Sequence, residues 1–208
     1  MEIETFRAMN TNIQLGAEGT DPQAIRDGFS AAQHFVHEKE KQFTRFSSTS
    51  ELSKLNQVRG AWFNVSEEML EVISLARDFV EETSGLFDPS ILPDLHRAGY
   101  DRSMDIIREH GALPGSWNAH PNRPAFDDIL IRPEERLVSL PMDMSLDLGG
   151  IAKGWIAEKA AGVLAQFVPV CIVNAGGDLF TVGTPSGSGC WEVDIEDPFA
   201  AEQTAAIL

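Results

Sequence analysis

The chain has 208 residues, of which 43% are apolar and 17 are glycine, a composition typical of a folded domain with a large buried core. It carries 16 Lys and Arg residues against 32 Asp and Glu residues, which gives a net charge of −16. Because this charge repels phosphate backbones and anionic lipid headgroups, the composition argues against a nucleic-acid partner and against a basic membrane-binding face.

The cysteines and the amino terminus exclude further classes of protein. Cys171 and Cys190 are too few for a disulfide framework and belong to no Cys/His cluster, so we do not expect a zinc site. The first residues are acidic where a secretion signal is basic, and no apolar run is long enough for a transmembrane segment. The chain as given is therefore expected to be cytoplasmic, with a trimmed export signal as the alternative.

Two long helices are predicted in the first half of the chain. Asp21 as N-cap, Pro22 at the first helical position and apolar residues at helical spacing indicate a helix over 22–43. Ser66 and the two glutamates after it indicate a second helix, which is expected to stop at Gly85.

The segments around the second helix are rich in turn-forming residues. Residues 45–56 are polar and are expected to form turns, and two prolines within 86–101 favour an extended loop. A short helix is predicted near 103–110, and the irregular stretch 114–124 is a candidate linker inside one domain.

The second half of the chain alternates short strands with one helix, which predicts the α+β class with an antiparallel sheet. The predicted elements are a hairpin over 127–131 and 136–140, a strand over 144–148, a helix over 150–166, and strands over 168–173, after 176 and over 190–195.

The sequence SLDLGGIAKG (145–154) is the strongest local signal for a binding site. A strand ends on the carboxylate of Asp147, two glycines allow a sharp turn, and a helix then begins with free backbone N–H groups. Such a helix start binds phosphate, and Lys153 adds a positive charge one turn later. The glycine spacing fits neither the dinucleotide fingerprint nor a P-loop. A plain strand-to-helix turn with a surface lysine is the alternative.

Three further segments offer weaker signals. Gly176 and Gly177 follow an apolar strand and allow a close approach before Asp178, although an ordinary β-turn explains them too. Asp88 is held extended by the proline after it, or simply starts a turn. Met9 is either an adaptable apolar contact for an aromatic ring or a core residue of an edge strand. No catalytic residue is assigned from spacing.

Taken together and in this order, these segments resemble the FAD:protein FMN transferase family, also called the ApbE family. The motifs that carry the resemblance are FRAMNT (6–11), TRFSSTSELSKLN (44–56), SGLFDPSILP (84–93), LDLGGIAKGWIAEKA (146–160), IVNAGGDLFTVG (172–183) and CWEVDIEDP (190–198). The resemblance implies one T-fold-like domain over 1–208, in which helices flank an antiparallel sheet.

The resemblance also implies an activity. FAD would lie in a cleft with Mg²⁺ at its diphosphate, and FMN would pass to a threonine hydroxyl of an acceptor protein with release of AMP. The alternatives are a non-catalytic FAD-binding protein and a Mg²⁺-dependent FAD pyrophosphatase that forms FMN and AMP.

The resemblance assigns roles to particular residues. Met9 and Phe46 would line the flavin or adenine pocket. The FAD contacts would be Leu86, Phe87, Asp88, Asp147 and Lys153. The Gly150 carbonyl would be one Mg²⁺ ligand. Gly176, Gly177 and Asp178 match the family's glycine turn.

The chain departs from the family pattern at its carboxyl end. The family continues with T-S-G-x-Y-x-R and H-x-I-D-P-x-T-G segments, whose Asp and Thr supply most of the Mg²⁺ ligands, whereas this chain ends at TAAIL (204–208). The domain is thus expected to be incomplete, as a fragment or a shortened homologue. We expect the 208 residues alone to bind FAD weakly and to transfer little flavin.

Overall fold

Helices and short strands alternate along the chain. A computed structural model describes residues 1–111, 124–187, 189–197, 199–200 and 204–207. Within them the elements are, in chain order, β1 (Glu2–Ala8), β2 (Thr11–Glu18), α1 (Pro22–Phe43), α2 (Glu51–Gln57), β3 (Phe63–Asn64), α3 (Glu67–Glu82), α4 (Leu92–Arg97), α5 (Met104–His110), β4 (Leu130–Arg132), β5 (Leu137–Ser139), α6 (Ala152–Leu164), β6 (Val170–Ala175), β7 (Asp178–Val182), β8 (Asp194–Glu196) and β9 (Thr204–Ile207).

A four-stranded antiparallel sheet of order β1-β2-β6-β7 is the centre of the fold. Its two middle strands bury every second side chain, as expected for a sheet with one covered face. These buried residues are Ile13, Leu15, Ala17, Cys171, Val173 and Ala175. The predicted α+β class with an antiparallel sheet is therefore confirmed.

Helices α1 and α6 pack against each other, and α6 also packs against strands β6 and β7. Helix α1 begins as predicted, because the Asp21 carboxylate accepts a hydrogen bond from the Gln23 amide at 2.8 Å. Trp155 of α6 meets the ring of Phe43 edge-on, with 5.5 Å between ring centroids. This packing fixes the start of α6 beside the end of α1.

A second, smaller sheet of order β3-β5-β4 lies apart from the first. Its β4–β5 hairpin confirms the one predicted around residues 133–135.

Helix α3 begins as predicted, because the Ser66 hydroxyl accepts a hydrogen bond from the Met69 amide. Helix α3 ends at Glu82, three residues before the predicted stop at Gly85. The helix predicted near 103–110 is also present as α5.

The prediction of turns throughout 45–56 is wrong for its second half, where helix α2 forms. The Ser50 hydroxyl caps this helix by accepting from the Ser53 amide at 3.0 Å. Leu52 and Leu55 are buried in the main core. A serine N-cap and two buried leucines are therefore enough to form a short helix in a segment that is otherwise polar.

The prediction of an extended loop over 86–101 is also wrong. Asp88 accepts a hydrogen bond from the Ser90 amide and caps a 3₁₀ helix over Pro89–Ile91, which leads directly into α4. Pro89 and Pro93 occupy first-turn positions, where a helix does not need their missing N–H groups. The prolines thus start short helices instead of preventing them.

The strand predicted over 144–148 is absent from the described structure, although the segment is largely buried. The Asn56 side chain takes the place of a strand partner. Its amide donates to the Leu146 carbonyl at 2.9 Å and accepts from the Leu146 amide at 2.8 Å. The Asp147 amide donates to the Pro89 carbonyl at 2.8 Å. Side-chain and loop contacts therefore satisfy the Leu146 amide and carbonyl and the Asp147 amide.

One strand near the carboxyl end is shorter than predicted. Of the strand predicted over 190–195, only its end forms β8, which pairs with β9.

Except for Pro124, the stretch predicted as irregular over 114–124 lies outside the described residues. Among the described helices, none combines the length and the apolar character that a membrane crossing requires.

Candidate ligand-binding site

A cavity of about 610 Å³ opens between the end of α1, the segment 86–100 and the start of α6, within the size range of small-molecule sites. The predicted site residues that line it are Met9, Phe46, Leu86, Phe87, Asp88, Asp147, Gly150 and Lys153. Segments that are far apart in the sequence therefore meet in one place.

The turn before α6 is held by the Asp147 carboxylate, whose Oδ1 accepts from the Gly149 amide at 2.8 Å. Gly150 lies against Phe87, since a Cβ atom at this glycine would come within 3.1 Å of the ring. No side chain caps the start of α6 at Ile151, although the Ile151 and Ala152 amides both donate to the Leu148 carbonyl, at 3.0 Å and 2.8 Å. The helix dipole gives this end of α6 a partial positive charge, which attracts an anion.

Arg45 contacts this turn through Asp147, and it is not among the site residues predicted from the sequence. Its side chain is only 5% exposed, and its Nε donates to Asp147 Oδ2 at 2.7 Å. The guanidinium carbon lies 4.3 Å from the ring centroid of Phe46 and 4.4 Å from that of Tyr100. Nothing in the TRFSSTS segment distinguishes Arg45 from a surface arginine, because its partner carboxylate comes about a hundred residues later.

Arg45 also holds the segment after α4. Its Nη2 donates to the Tyr100 carbonyl at 3.2 Å, and its Nη1 lies 3.4 Å from His96 Nε2. Burial, followed by the nearby Arg45 charge, lowers the pKa of His96 below its ordinary value of 6.5, although Asp101 and Asp147 act in the opposite direction. The neutral imidazole is thus favoured beside Arg45.

This lowered pKa predicts how acid affects stability. Between the folded-state pKa of His96 and 6.5, the unfolded chain binds a proton that the folded chain does not. The contribution of His96 to the free energy of unfolding is therefore fully present above 6.5 and is lost as the pH falls through this window. Urea titrations between about pH 7 and pH 5 should show this loss. In a plot of the free energy of unfolding against pH, His96→Gln should show a smaller decrease over this pH range than the wild type. An equal decrease in both proteins would contradict the prediction.

Lys153 and Asp178 form an ion pair at the edge of the cavity, with 3.2 Å between Nζ and Oδ2. Gly176 and Gly177 do not line the cavity. They make the β6–β7 turn with φ angles of 62° and 104°, and the Asn174 side chain accepts from the Gly177 amide. The predicted glycine turn therefore places Asp178 beside Lys153.

Met9 lies in the turn between β1 and β2, where Met9 and Asn10 both have positive φ angles, of 52° and 59°. The Glu40 carboxylate on α1 accepts a hydrogen bond from the Met9 amide at 2.5 Å. A charged acceptor makes this bond stronger than a neutral one. Glu40 therefore holds this left-handed turn at the cavity wall, and it too was missed from the sequence.

The acidic groups of the cavity already have partners in the protein. Asp88 Oδ1 accepts from the Ser90 amide at 2.9 Å and from its hydroxyl at 2.6 Å. Asp147 binds Arg45 and Gly149. In the part of the chain that the structure describes, no group of three or more His, Cys, Asp or Glu residues is placed to hold a metal ion. These residues alone do not fit the implied Mg²⁺ site.

Comparison with known proteins identifies sequence relatives of the chain. The sequence model of the ApbE family matches residues 9–208. A FAD:protein FMN transferase of Treponema pallidum (strain Nichols) is 27% identical over an alignment 186 positions long, which covers 76% of this chain and 47% of that protein. Another, of Klebsiella pneumoniae (strain 342), is 39% identical over 61 residues, which cover 29% of this chain and 17% of that protein. The chain thus matches less than half the length of either relative.

Solved structures share the fold. The ApbE protein of Thermotoga maritima MSB8 has a TM-score of 0.81 and 22% identity, over 99% of this chain and 66% of that one. The apo flavinyl transferase ApbE of Pseudomonas stutzeri has a TM-score of 0.73 and 19% identity, over 93% of this chain and 64% of that one. With the family match over residues 9–208, these findings establish that the chain belongs to the ApbE family.

Proposed function

We propose that this chain binds FAD and belongs to a protein that transfers FMN from FAD to a threonine hydroxyl of an acceptor protein, with release of AMP. The observation that carries the proposal is the cavity, which joins an aromatic and apolar wall to an uncapped helix start with a lysine. Both sequence relatives are FAD:protein FMN transferases, which supports the same conclusion.

The cavity lining contains groups that suit both parts of a flavin nucleotide. Phe46, Phe87, Tyr100 and Met9 are among the lining residues, and aromatic and methionine side chains stack well on flat ring systems. Gly150 and Lys153 at the start of α6 also line the cavity, and a helix start with a cation suits a diphosphate. The ion pair with Asp178 restrains the Lys153 ammonium near this helix start.

In the proposed reaction, the threonine Oγ attacks the phosphorus of the FMN half. A new P–O bond forms, the bond from that phosphorus to the bridging oxygen breaks, and AMP leaves with the bridging oxygen. The hydroxyl proton passes to a base or to solvent. Within this chain the start of α6 and Lys153 would hold the diphosphate and offset its charge, which is the main requirement of such a transfer.

Mg²⁺ stays a prediction from the resemblance, with the Gly150 carbonyl as one ligand. Because the described residues hold no group of three His, Cys, Asp or Glu side chains placed for a metal ion, side-chain ligands would have to come from elsewhere. No step above depends on the ion. Titrating FAD into the protein with Mg²⁺ or with EDTA measures its contribution directly.

The experiment that tests the function uses the gene product as the cell makes it, with FAD, Mg²⁺ and an acceptor protein that bears threonine. We expect mass spectrometry to show acceptor enlarged by one FMN, less water, and chromatography to show one AMP per FMN transferred. Free FMN and AMP without acceptor modification would indicate a pyrophosphatase instead. Bound but unchanged FAD would indicate a non-catalytic binder, and absence of binding would contradict the proposal.

Lys153→Ala should weaken FAD binding. Lys153 is 32% exposed, so losing its charge near the diphosphate is expected to raise the Kd by about tenfold. Isothermal titration with FAD and with riboflavin measures this, and riboflavin should be unaffected. Lys159→Ala is the control, because Lys159 lies on the same helix and pairs with Glu71 at 2.7 Å, but does not line the cavity. Equal FAD affinity for both variants would contradict the assignment.

A further inference from the structure

Among the described residues that line the cavity, Arg45 is the most buried cation. Its side chain is 5% exposed, against 32% for Lys153 and 70% for Arg108. A guanidinium is retained in such a place only with partners for its charge and its N–H groups. Arg45 therefore needs a role beyond that of a surface charge.

The contacts of Arg45 leave little of its guanidinium for a ligand. Nε donates to Asp147, Nη2 donates to the Tyr100 carbonyl, and Nη1 lies 3.4 Å from His96. The rings of Phe46 and Tyr100 pack against the group from two sides. Arg45 therefore acts on the protein around it more than on a bound molecule.

Asp147 is the group through which Arg45 can affect binding. One carboxylate oxygen accepts from Arg45 and the other accepts from the Gly149 amide, so Asp147 fixes the turn that begins α6. An ionised carboxylate in this position would by itself repel a diphosphate. With Arg45 in contact the charge of Asp147 is offset, as Asp178 offsets part of the charge of Lys153, and the partial positive charge of the α6 start is left to attract the diphosphate.

We infer that Arg45 is a positioning residue, which neutralises and orients Asp147 so that the start of α6 accepts a diphosphate. The inference rests on the proposed function and extends it to a residue outside the predicted site. It also changes the role of Asp147, from a direct contact of the nucleotide to the group that holds the turn.

The test is a set of titrations with FAD, with ADP and with riboflavin, which has no phosphate. Arg45→Gln leaves the Asp147 carboxylate without its positive partner, so this carboxylate repels the phosphates. We expect the Kd of FAD and of ADP to rise about tenfold or more, while the Kd of riboflavin changes less than about twofold. In Arg45→Gln/Asp147→Asn the negative charge is gone and an oxygen remains for the Gly149 amide. This double variant should recover to within about threefold of the wild type.

Two further variants keep the test decisive. Arg45→Lys retains the charge and should bind FAD better than Arg45→Gln, even if the latter folds poorly. Arg132→Gln is the matched control, since Arg132 also packs on a ring, that of Trp62 at 4.4 Å, and lies 3.8 Å from Glu135, but outside the cavity. It should bind FAD like the wild type.

The outcomes separate the inference from the proposed function. If the wild type binds neither FAD nor ADP, the proposed function fails and the inference fails with it. If the wild type binds FAD and Arg45→Gln binds equally well, only the inference is overturned. It is also overturned if riboflavin affinity falls as much as FAD affinity, which indicates general damage, or if adding Asp147→Asn does not restore FAD binding to Arg45→Gln, which indicates direct phosphate binding by Arg45.

Discussion

Asp147→Ala is expected to lower the free energy of unfolding by about 3 kcal/mol, because it leaves the buried Arg45 guanidinium without its carboxylate. The two side chains are 5% and 17% exposed, so solvent compensates little for the lost partner. The Gly149 amide loses its acceptor at the same time. Urea denaturation measures the change, and we expect FAD binding by this variant to be undetectable.

The control for Asp147→Ala is Asp101→Ala. Asp101 pairs with Arg102 through the same kind of contact, from Nε to Oδ1 at 2.9 Å, but both side chains are about one third exposed. Exposed pairs contribute about 0 to 1 kcal/mol. If the two variants lose equally little stability, or if Asp147→Ala binds FAD like the wild type, the turn before α6 does not depend on this ion pair.

The elements that the sequence predicts correctly are those with local signals. Helix α1 has its N-cap at Asp21 and a proline in its first turn, and Ser66 caps α3. Of the main sheet, the sequence predicts β6 and β7, on either side of Gly176 and Gly177, but not β1 and β2, which are not apolar runs. Such signals act within a few residues of each other, which is why a single sequence is enough to find them.

The interactions that build the cavity wall act over long distances in the chain, and the sequence does not reveal them. Arg45 binds Asp147, and Asn56 replaces a strand partner for Leu146. Each pair joins the segment between α1 and α3 to the turn before α6. No spacing rule connects these residues, although Asp147 itself was found from the glycines that follow it.

The prolines of the 86–101 segment show that a local sequence can be compatible with more than one structure. Proline disfavours the interior of a helix but suits its first turn, so Pro89 and Pro93 are compatible with a loop and with two short helices. The Asp88 cap and the hydrogen bond from the Asp147 amide to Pro89 settle the choice in the folded protein. Tertiary contact therefore decides what the local sequence leaves open.

Asn56→Ala is expected to lower the free energy of unfolding by about 2 to 4 kcal/mol, since it leaves two buried backbone groups without partners. Asn56 is 8% exposed and Leu146 is fully buried. Both hydrogen bonds between them are short, at 2.9 Å and 2.8 Å. Because Leu146 immediately precedes Asp147, the loss should also weaken FAD binding. Urea denaturation and FAD titration of the same variant measure both effects.

Two comparisons make the Asn56 prediction specific. Asn64→Ala removes an exposed amide that donates to the Glu135 carbonyl at 3.1 Å, and it should change stability by less than about 0.5 kcal/mol. Asn56→Asp keeps the acceptor for the Leu146 amide but turns an oxygen toward the Leu146 carbonyl, where only a protonated acid donates. Its folded-state pKa is therefore raised, and its stability relative to the wild type should recover as the pH falls. A deficit that does not change with pH would show that the Asn56 donor is not needed.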